Sequence, residues 1–124
     1  MWLDSVNHIQ ITTSKEAEDA TLFFYSKVLG LKEIPKPEEI KAFGGAWYLL
    51  GNIQLHIAVE HNPNNDKSRR HVCFQVHNLN TFEEHLKAYG VEILPDQNPI
   101  PENARFFLRD PGGNRIEIAE SKHE

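Results

Sequence analysis

Three residues of this chain combine ligand chemistry with a repeated spacing: His8, His71 and Glu117. His8 sits in the run Val6-Asn7-His8-Ile9-Gln10-Ile11, His71 in His71-Val72-Cys73-Phe74-Gln75-Val76, and Glu117 in Ile116-Glu117-Ile118. The offset that lays His8 over His71 also lays Gln54, in Ile53-Gln54-Leu55, over Glu117. At a slightly shorter shift, Leu29-Gly30-Leu31-Lys32-Glu33-Ile34-Pro35 matches Tyr89-Gly90-Val91-Glu92-Ile93-Leu94-Pro95. Agreement at two polar positions inside strands and at a Gly-to-Pro frame reads as one module written twice, the property that decides the fold.

Two imidazoles and one carboxylate, brought from separate strands, form the donor set that borderline divalent metals prefer. Nitrogen donors and one anionic oxygen hold such an ion, and its residual charge stays available to a substrate oxygen. His8, His71 and Glu117 are therefore the expected ligands. The fourth place is open between Gln54, the repeat partner of Glu117, and His56, which faces the same way two residues on. His56 alternatively stands behind the ion as a proton donor. Trp47, Tyr48, Phe106 and Phe107 serve the core first and the lining of a pocket second, and Arg105 is a cation on the same stretch.

These side chains need strands to aim them. Residues 5–12 alternate with period two, so His8 and Gln10 share one face and Ile9 and Ile11 the other. Thr13-Ser14-Lys15-Glu16 has capping-box spacing, and Ala17, Ala20, Phe23, Phe24 and Val28 follow as a helical apolar face that Gly30 stops. Pro35 and Pro37 end a short strand and begin a loop. Gly44-Gly45 then opens two apolar runs split by Gly51-Asn52, a hairpin. The first module, 5–60, is thus βαβββ. A polar linker, 61–70, leads to a second module, 71–120: a strand from His71, a helix from about Asn80 with Phe82, Leu86 and Tyr89 on one face, a strand over 91–94, and a final hairpin turned by Asp110-Pro111-Gly112-Gly113.

The totals limit the partners. The 124 residues carry a net charge of −5, which argues against a nucleic-acid binder, since that needs a basic face. Each half alone is too small to bury enough surface, so the halves must pack together or dimerise. A single cysteine, Cys73, excludes an internal disulfide framework, fits a reducing compartment, and has no basic neighbour in sequence to activate it. No apolar run approaches a membrane span, and the cytoplasm is the expected location. His61, His77, His85 and His123 fall in loops, on a helix or at the tail, where solvated roles are expected. There is no H-E-x-x-H, C-x-x-C, G-x-S-x-G or glycine-rich dinucleotide loop.

Asn7-His8-Ile9-Gln10-Ile11, Phe24-Tyr25-x-x-x-Leu29-Gly30-Leu31, the His71 strand, and Phe107-Leu108-Arg109-Asp110-Pro111-Gly112-Gly113-Asn114-Arg115-Ile116-Glu117 together resemble the vicinal oxygen chelate superfamily of glyoxalases, bleomycin-resistance proteins and extradiol dioxygenases. The resemblance covers almost the whole chain. It implies an α+β fold of two βαβββ modules forming a curved mixed-sheet cup, often completed across a homodimer. It also implies a divalent ion (zinc, nickel, manganese, cobalt or iron) on His8, Gln54, His71 and Glu117, with His56 and Glu117 as the proton-handling residues and Trp47, Tyr48, Phe107 and Arg105 around a small-molecule substrate. The activity implied is lyase or isomerase chemistry through a stabilised enolate or oxyanion. Ring cleavage by an Fe(II) extradiol-type dioxygenase and metal-free sequestration of an antibiotic are the alternatives. Two departures bear on the choice: glyoxalase I usually has a carboxylate where Gln54 stands, and extradiol dioxygenases carry a tyrosine hydroxyl that Phe106 and Phe107 lack.

Overall fold

The structure is a computed structural model and describes residues 1–121; His123 lies outside the described residues. The first module runs β1 (His8–Thr13), α1 (Glu18–Phe23), β2 (Lys32–Ile34), β3 (Ala46–Leu50) and β4 (Ile53–Val59). The second runs β5 (His71–Val76), α2 (Leu79–Ala88), β6 (Arg105–Arg109) and β7 (Arg115–Glu120). The first sheet has the order β1-β4-β3-β2 and the second β5-β7-β6. In each, the opening strand runs parallel to the closing one, and the last two strands form an antiparallel hairpin. This is the α+β fold of paired modules, with the strand expected over 91–94 reduced to a single bridge between Leu94 and Phe107. Pro95 follows Leu94 and has no N–H to extend the ladder.

Each sheet has one packed face. Leu55, Ile57, Tyr48 and Ala46 from the first join Phe106, Leu108, Ile116 and Ile118 from the second in one cluster, with Phe24, Tyr25, Val28 and Leu86 from the helical segments closing it. The opposite faces carry the alternate residues. His8 and Gln10 lie beside Gln54 and His56, which lie beside Leu49 and Trp47. His71 and Cys73 lie beside Arg115 and Glu117. The repeat holds with one difference: His8 pairs directly with Gln54, whereas His71 pairs with Arg115 and Glu117 with Cys73. A slip of two residues preserves the face, where a slip of one would have reversed it.

The helical stretch of the first module differs from its expected form. Thr13 turns inward, fully buried, to share a hydrogen bond with Thr21 (3.1 Å), and it is Ser14 Oγ that accepts from the Ala17 N–H. After Phe23 the helix widens into a π-helical turn over Phe24–Val28. Phe24, Tyr25 and Val28 face the core, while Ala20 and Phe23, expected there, are exposed. The loop after Pro37 contains a 3-10 helix, Glu38–Phe43. Glu18 ties this region down, its carboxylate accepting from the Gly45 N–H (2.8 Å) and from Lys15 Nζ (3.0 Å). Both contacts favour the ionised form and hold its pKa below the usual carboxylate range.

The linker proves to be a clip. Asn65 is buried, and its side-chain amide donates to the Thr12 carbonyl of β1 (2.8 Å) and the Gly112 carbonyl of the β6–β7 turn (3.1 Å). Asn114 donates to the same Thr12 carbonyl (2.9 Å) and to Asp110, whose carboxylate accepts at 2.6 Å from the Tyr25 hydroxyl. A buried, fully bonded network thus joins the two modules at one end of β1. His85, exposed on α2 as its position suggested, makes a second joint by donating from Nε2 to the Val28 carbonyl at 2.7 Å.

Candidate functional site

The open faces of the two sheets carry two separate groups of polar side chains. On the first sheet, Trp47, His56 and His8 form a stack: the Trp47 and His56 rings are 3.7 Å apart and 4° from parallel, and His8 follows at 4.2 Å and 15°. His56 is 4% exposed. Its Nε2 is 2.8 Å from Gln54 Oε1, and since an amide oxygen only accepts, Nε2 carries the proton. Burial, with His8 adding to it, pushes the His56 pKa below its ordinary value, so the ring is neutral. His8 Nδ1 likewise donates to Asn7 Oδ1 (2.8 Å), which leaves the Nε2 lone pair of this exposed ring uncommitted. Asn7 thereby sets the tautomer that a metal-binding imidazole needs. The periodicity gave it no such role, reading it as one polar residue of the strand expected over 5–12, which begins only at His8.

On the second sheet, His71 Nδ1 donates to the Arg69 carbonyl at 3.1 Å, and Nε2 lies 3.1 Å from Glu117 Oε1. With Nδ1 already a donor, a neutral ring presents a lone pair to a carboxylate oxygen. Two acceptors hold that distance only with a proton or another cation between them. Glu117 is 7% exposed, and its other oxygen accepts from Arg105 Nη1 at 3.4 Å. Arg105 also binds Asp96 through Nε (2.8 Å) and the Asn98 carbonyl through Nη2 (3.2 Å). The Pro-rich loop over 95–103 therefore supplies the counter-charge that lets a carboxylate and a guanidinium sit together on this face. Phe107 lies beneath, with Arg115 Cζ 4.1 Å and Arg105 Cζ 5.3 Å from its ring centre and His71 edge-on at 5.9 Å.

Of the residues singled out in sequence, the structure brings His8, Gln54, His56 and Trp47 together, and separately His71, Glu117, Arg105 and Phe107. No hydrogen bond or ion pair among the described residues links the two groups. Within one chain and among those residues, no three His, Cys, Asp or Glu side chains converge tightly enough to hold an ion. Tyr48 stands on the core face, fully buried, its hydroxyl bonded to Ser26 (3.0 Å) and the Leu22 carbonyl (3.2 Å); period two separates it from Trp47. Cys73 is exposed on the open face rather than packed. Its thiol is pushed up to about 11, first by desolvation and then by Glu117 beside it, so it is protonated at neutral pH. The donor chemistry of each group fits one half of a metal site: a free imidazole nitrogen beside an amide oxygen, and an imidazole nitrogen facing a carboxylate.

An α+β pair of βαβββ modules with metal-donor side chains on the open sheet faces defines a class of small-molecule proteins rather than one reaction. The chain belongs to the Glyoxalase/Bleomycin resistance protein/Dioxygenase superfamily, whose family model matches residues 5–118. It is 38% identical to a glyoxalase family protein from Bacillus anthracis of known structure, with a TM-score of 0.87 and 98% of each chain covered. It is 29% identical to Glyoxylase I 4 of Arabidopsis thaliana over 94% of this chain and 70% of that one. It is 28% identical to the metapyrocatechase of Geobacillus stearothermophilus over 91% of this chain, which spans only 36% of that enzyme. No helix among the described residues is long and apolar enough to cross a membrane.

Proposed function

We propose that the protein is a divalent-metal-dependent enzyme acting on a small oxygenated metabolite, with lyase or isomerase chemistry, and that its site forms in a homodimer. The carrying observation is the His71 Nε2 to Glu117 Oε1 contact of 3.1 Å beside a committed Nδ1, a pair of acceptors arranged for a cation. His8 and Gln54 of one chain with His71 and Glu117 of a second copy would hold the ion. Each pair lies on an open face, and neither alone supplies a full set of donors. When bound, the ion supplies a Lewis acid that stabilises negative charge developing on a substrate oxygen.

The chain's own groups divide the remaining work. His56 is a positioning residue: clamped between Trp47 and His8, it fixes the Gln54 amide with the nitrogen turned away from its own proton. That leaves the second lone pair of Gln54 Oε1 for a ligand role. An amide is not a base at neutral pH, so proton abstraction falls to Glu117, on the site's other half. Arg105 and Asp96 hold Glu117 in place, and Trp47 and Phe107 give the substrate apolar walls. The likeness to Glyoxylase I 4 supports this reading of the chemistry.

Elemental analysis tests the proposal. Protein purified from medium with zinc, nickel, manganese, cobalt and iron should carry close to one ion per chain, and His8→Ala and Glu117→Ala should each lose it while folding normally. Wild-type protein without bound ion, or ion content indifferent to both substitutions, would overturn it.

A further inference from the structure

Two guanidinium groups lie over the Phe107 ring, and their surroundings differ. Arg105 has four of its five N–H donors engaged, with Asp96, the Asn98 carbonyl and Glu117 accepting from it. Arg115 is closer to the ring, at 4.1 Å, yet its one hydrogen-bond partner among the described residues is the Arg69 carbonyl at the long distance of 3.4 Å. Among the described residues no carboxylate lies within ion-pair distance of Arg115. The acid that feels its charge, Asp96, is already paired with Arg105. An aromatic face orients a guanidinium and shields one side of it without satisfying any of its N–H donors. The fork of Arg115 is therefore positioned and left open.

Arg115 is also among the residues that line a cavity of about 330 Å³ between β1 and β5, with Gln10, Thr12, Glu60, Arg70 and His71. Two arginines and one glutamate are among its lining residues, on a chain whose net charge is −5. Arg115 is the direct strand neighbour of His71, and it precedes Glu117 by two residues on the same face. We propose that Arg115, seated on Phe107 and aided by Arg70, binds an oxyanion of the substrate, a carboxylate or a phosphate, and so places the reacting carbon beside His71 and Glu117. The substrate class is then an anionic oxygenated metabolite. Its role in catalysis rests on the function proposed above, whereas the oxyanion site itself does not.

Carboxylates and phosphates both accept two parallel N–H bonds from one guanidinium, which lysine cannot reproduce. The test is titration of the chelator-treated full chain with inorganic phosphate and, separately, acetate, followed by calorimetry. Wild type should bind at least one of them saturably, phosphate alone identifying a phosphate substrate and acetate a carboxylate. Arg115→Ala should weaken binding by roughly tenfold or more and Arg115→Lys by less, in line with the strength of charge-assisted hydrogen bonds. Lys87→Ala, on the outer helix, should match wild type. No saturable binding by wild type, or unchanged affinity in both Arg115 variants, overturns the proposal. Metal content of the same variants separates the two readings: Arg115→Ala should keep its ion, and a wild type that binds oxyanion but no metal would refute the metal-dependent function while leaving this site intact.

Discussion

If the two groups of donors meet across a dimer, single-site substitutions in different chains should complement one another. His8→Ala destroys one half of the site and Glu117→Ala the other. Neither removes core packing: His8 is exposed, and Arg105 keeps Asp96 when Glu117 is gone. In a two-fold dimer each interface element occurs twice, so a mixed dimer of the two variants has one doubly damaged site and one intact site. Random reassortment of equal amounts makes about half of the dimers mixed, and recovery should be about one quarter of wild-type ion content, from starting proteins that have none. The complementary mixture runs the other way. A chain carrying both substitutions, combined with wild type, should lower occupancy from about one half before reassortment to about one quarter after it. Metal per chain, measured after denaturation and refolding together and again after size-exclusion separation of the dimer, reads both numbers. No recovery in the first mixture together with an unchanged half in the second would refute the two-chain site.

Tyr25→Phe removes a buried 2.6 Å hydrogen bond to a carboxylate and should cost about 2 kcal/mol, or roughly 8 °C in Tm, by calorimetry; an unshifted Tm would mean the clip between modules is not under load. Gly45 has φ +79°, and a Cβ there would run into the Ile57 carbonyl oxygen, so Gly45→Ala should cost roughly 3 kcal/mol in urea unfolding, against about 1 kcal/mol for Gly30→Ala, which meets open space. Equal midpoints for the two would contradict the close approach of that loop to β4. Since Glu18 has its pKa lowered by the Gly45 N–H and then by Lys15, it contributes stability above the unfolded carboxyl pKa that is lost as pH falls through the folded value; Glu18→Gln should narrow its deficit to wild type as pH falls through that window. With its thiol raised from 9.0 to about 11, Cys73 should react with iodoacetamide about a hundredfold more slowly at pH 8 than an ordinary thiol, and an ordinary rate would mean that neither desolvation nor Glu117 raises it.

The alternation in 6–11, 53–59, 71–76 and 115–119 determined a great deal without any coordinates. Side chains two apart on a strand must share a face, so placing Gln54 with His56 and Glu117 with Arg115 needed only the period. The repeat likewise made paired βαβββ modules legible, because residues that do the same packing work recur at the same spacing. Helical phase was less legible: Phe23 and Ala20 look as apolar as Phe24 and Val28, and the widening into a π turn that exposes them has no mark in composition. Only the folded conformation decided the rest. The tautomers of His8 and His71 depend on where the Asn7 amide and the Arg69 carbonyl come to lie. The ion pair that engages Arg105 and leaves Arg115, a like residue on the neighbouring strand, open depends on a loop that folds back from Asp96. Local periodicity assigns a side chain to a face, but which donors are spent and which remain free is settled by where the folded backbone brings their partners, some next in sequence and some far along it, and that is where this site acquires its chemistry.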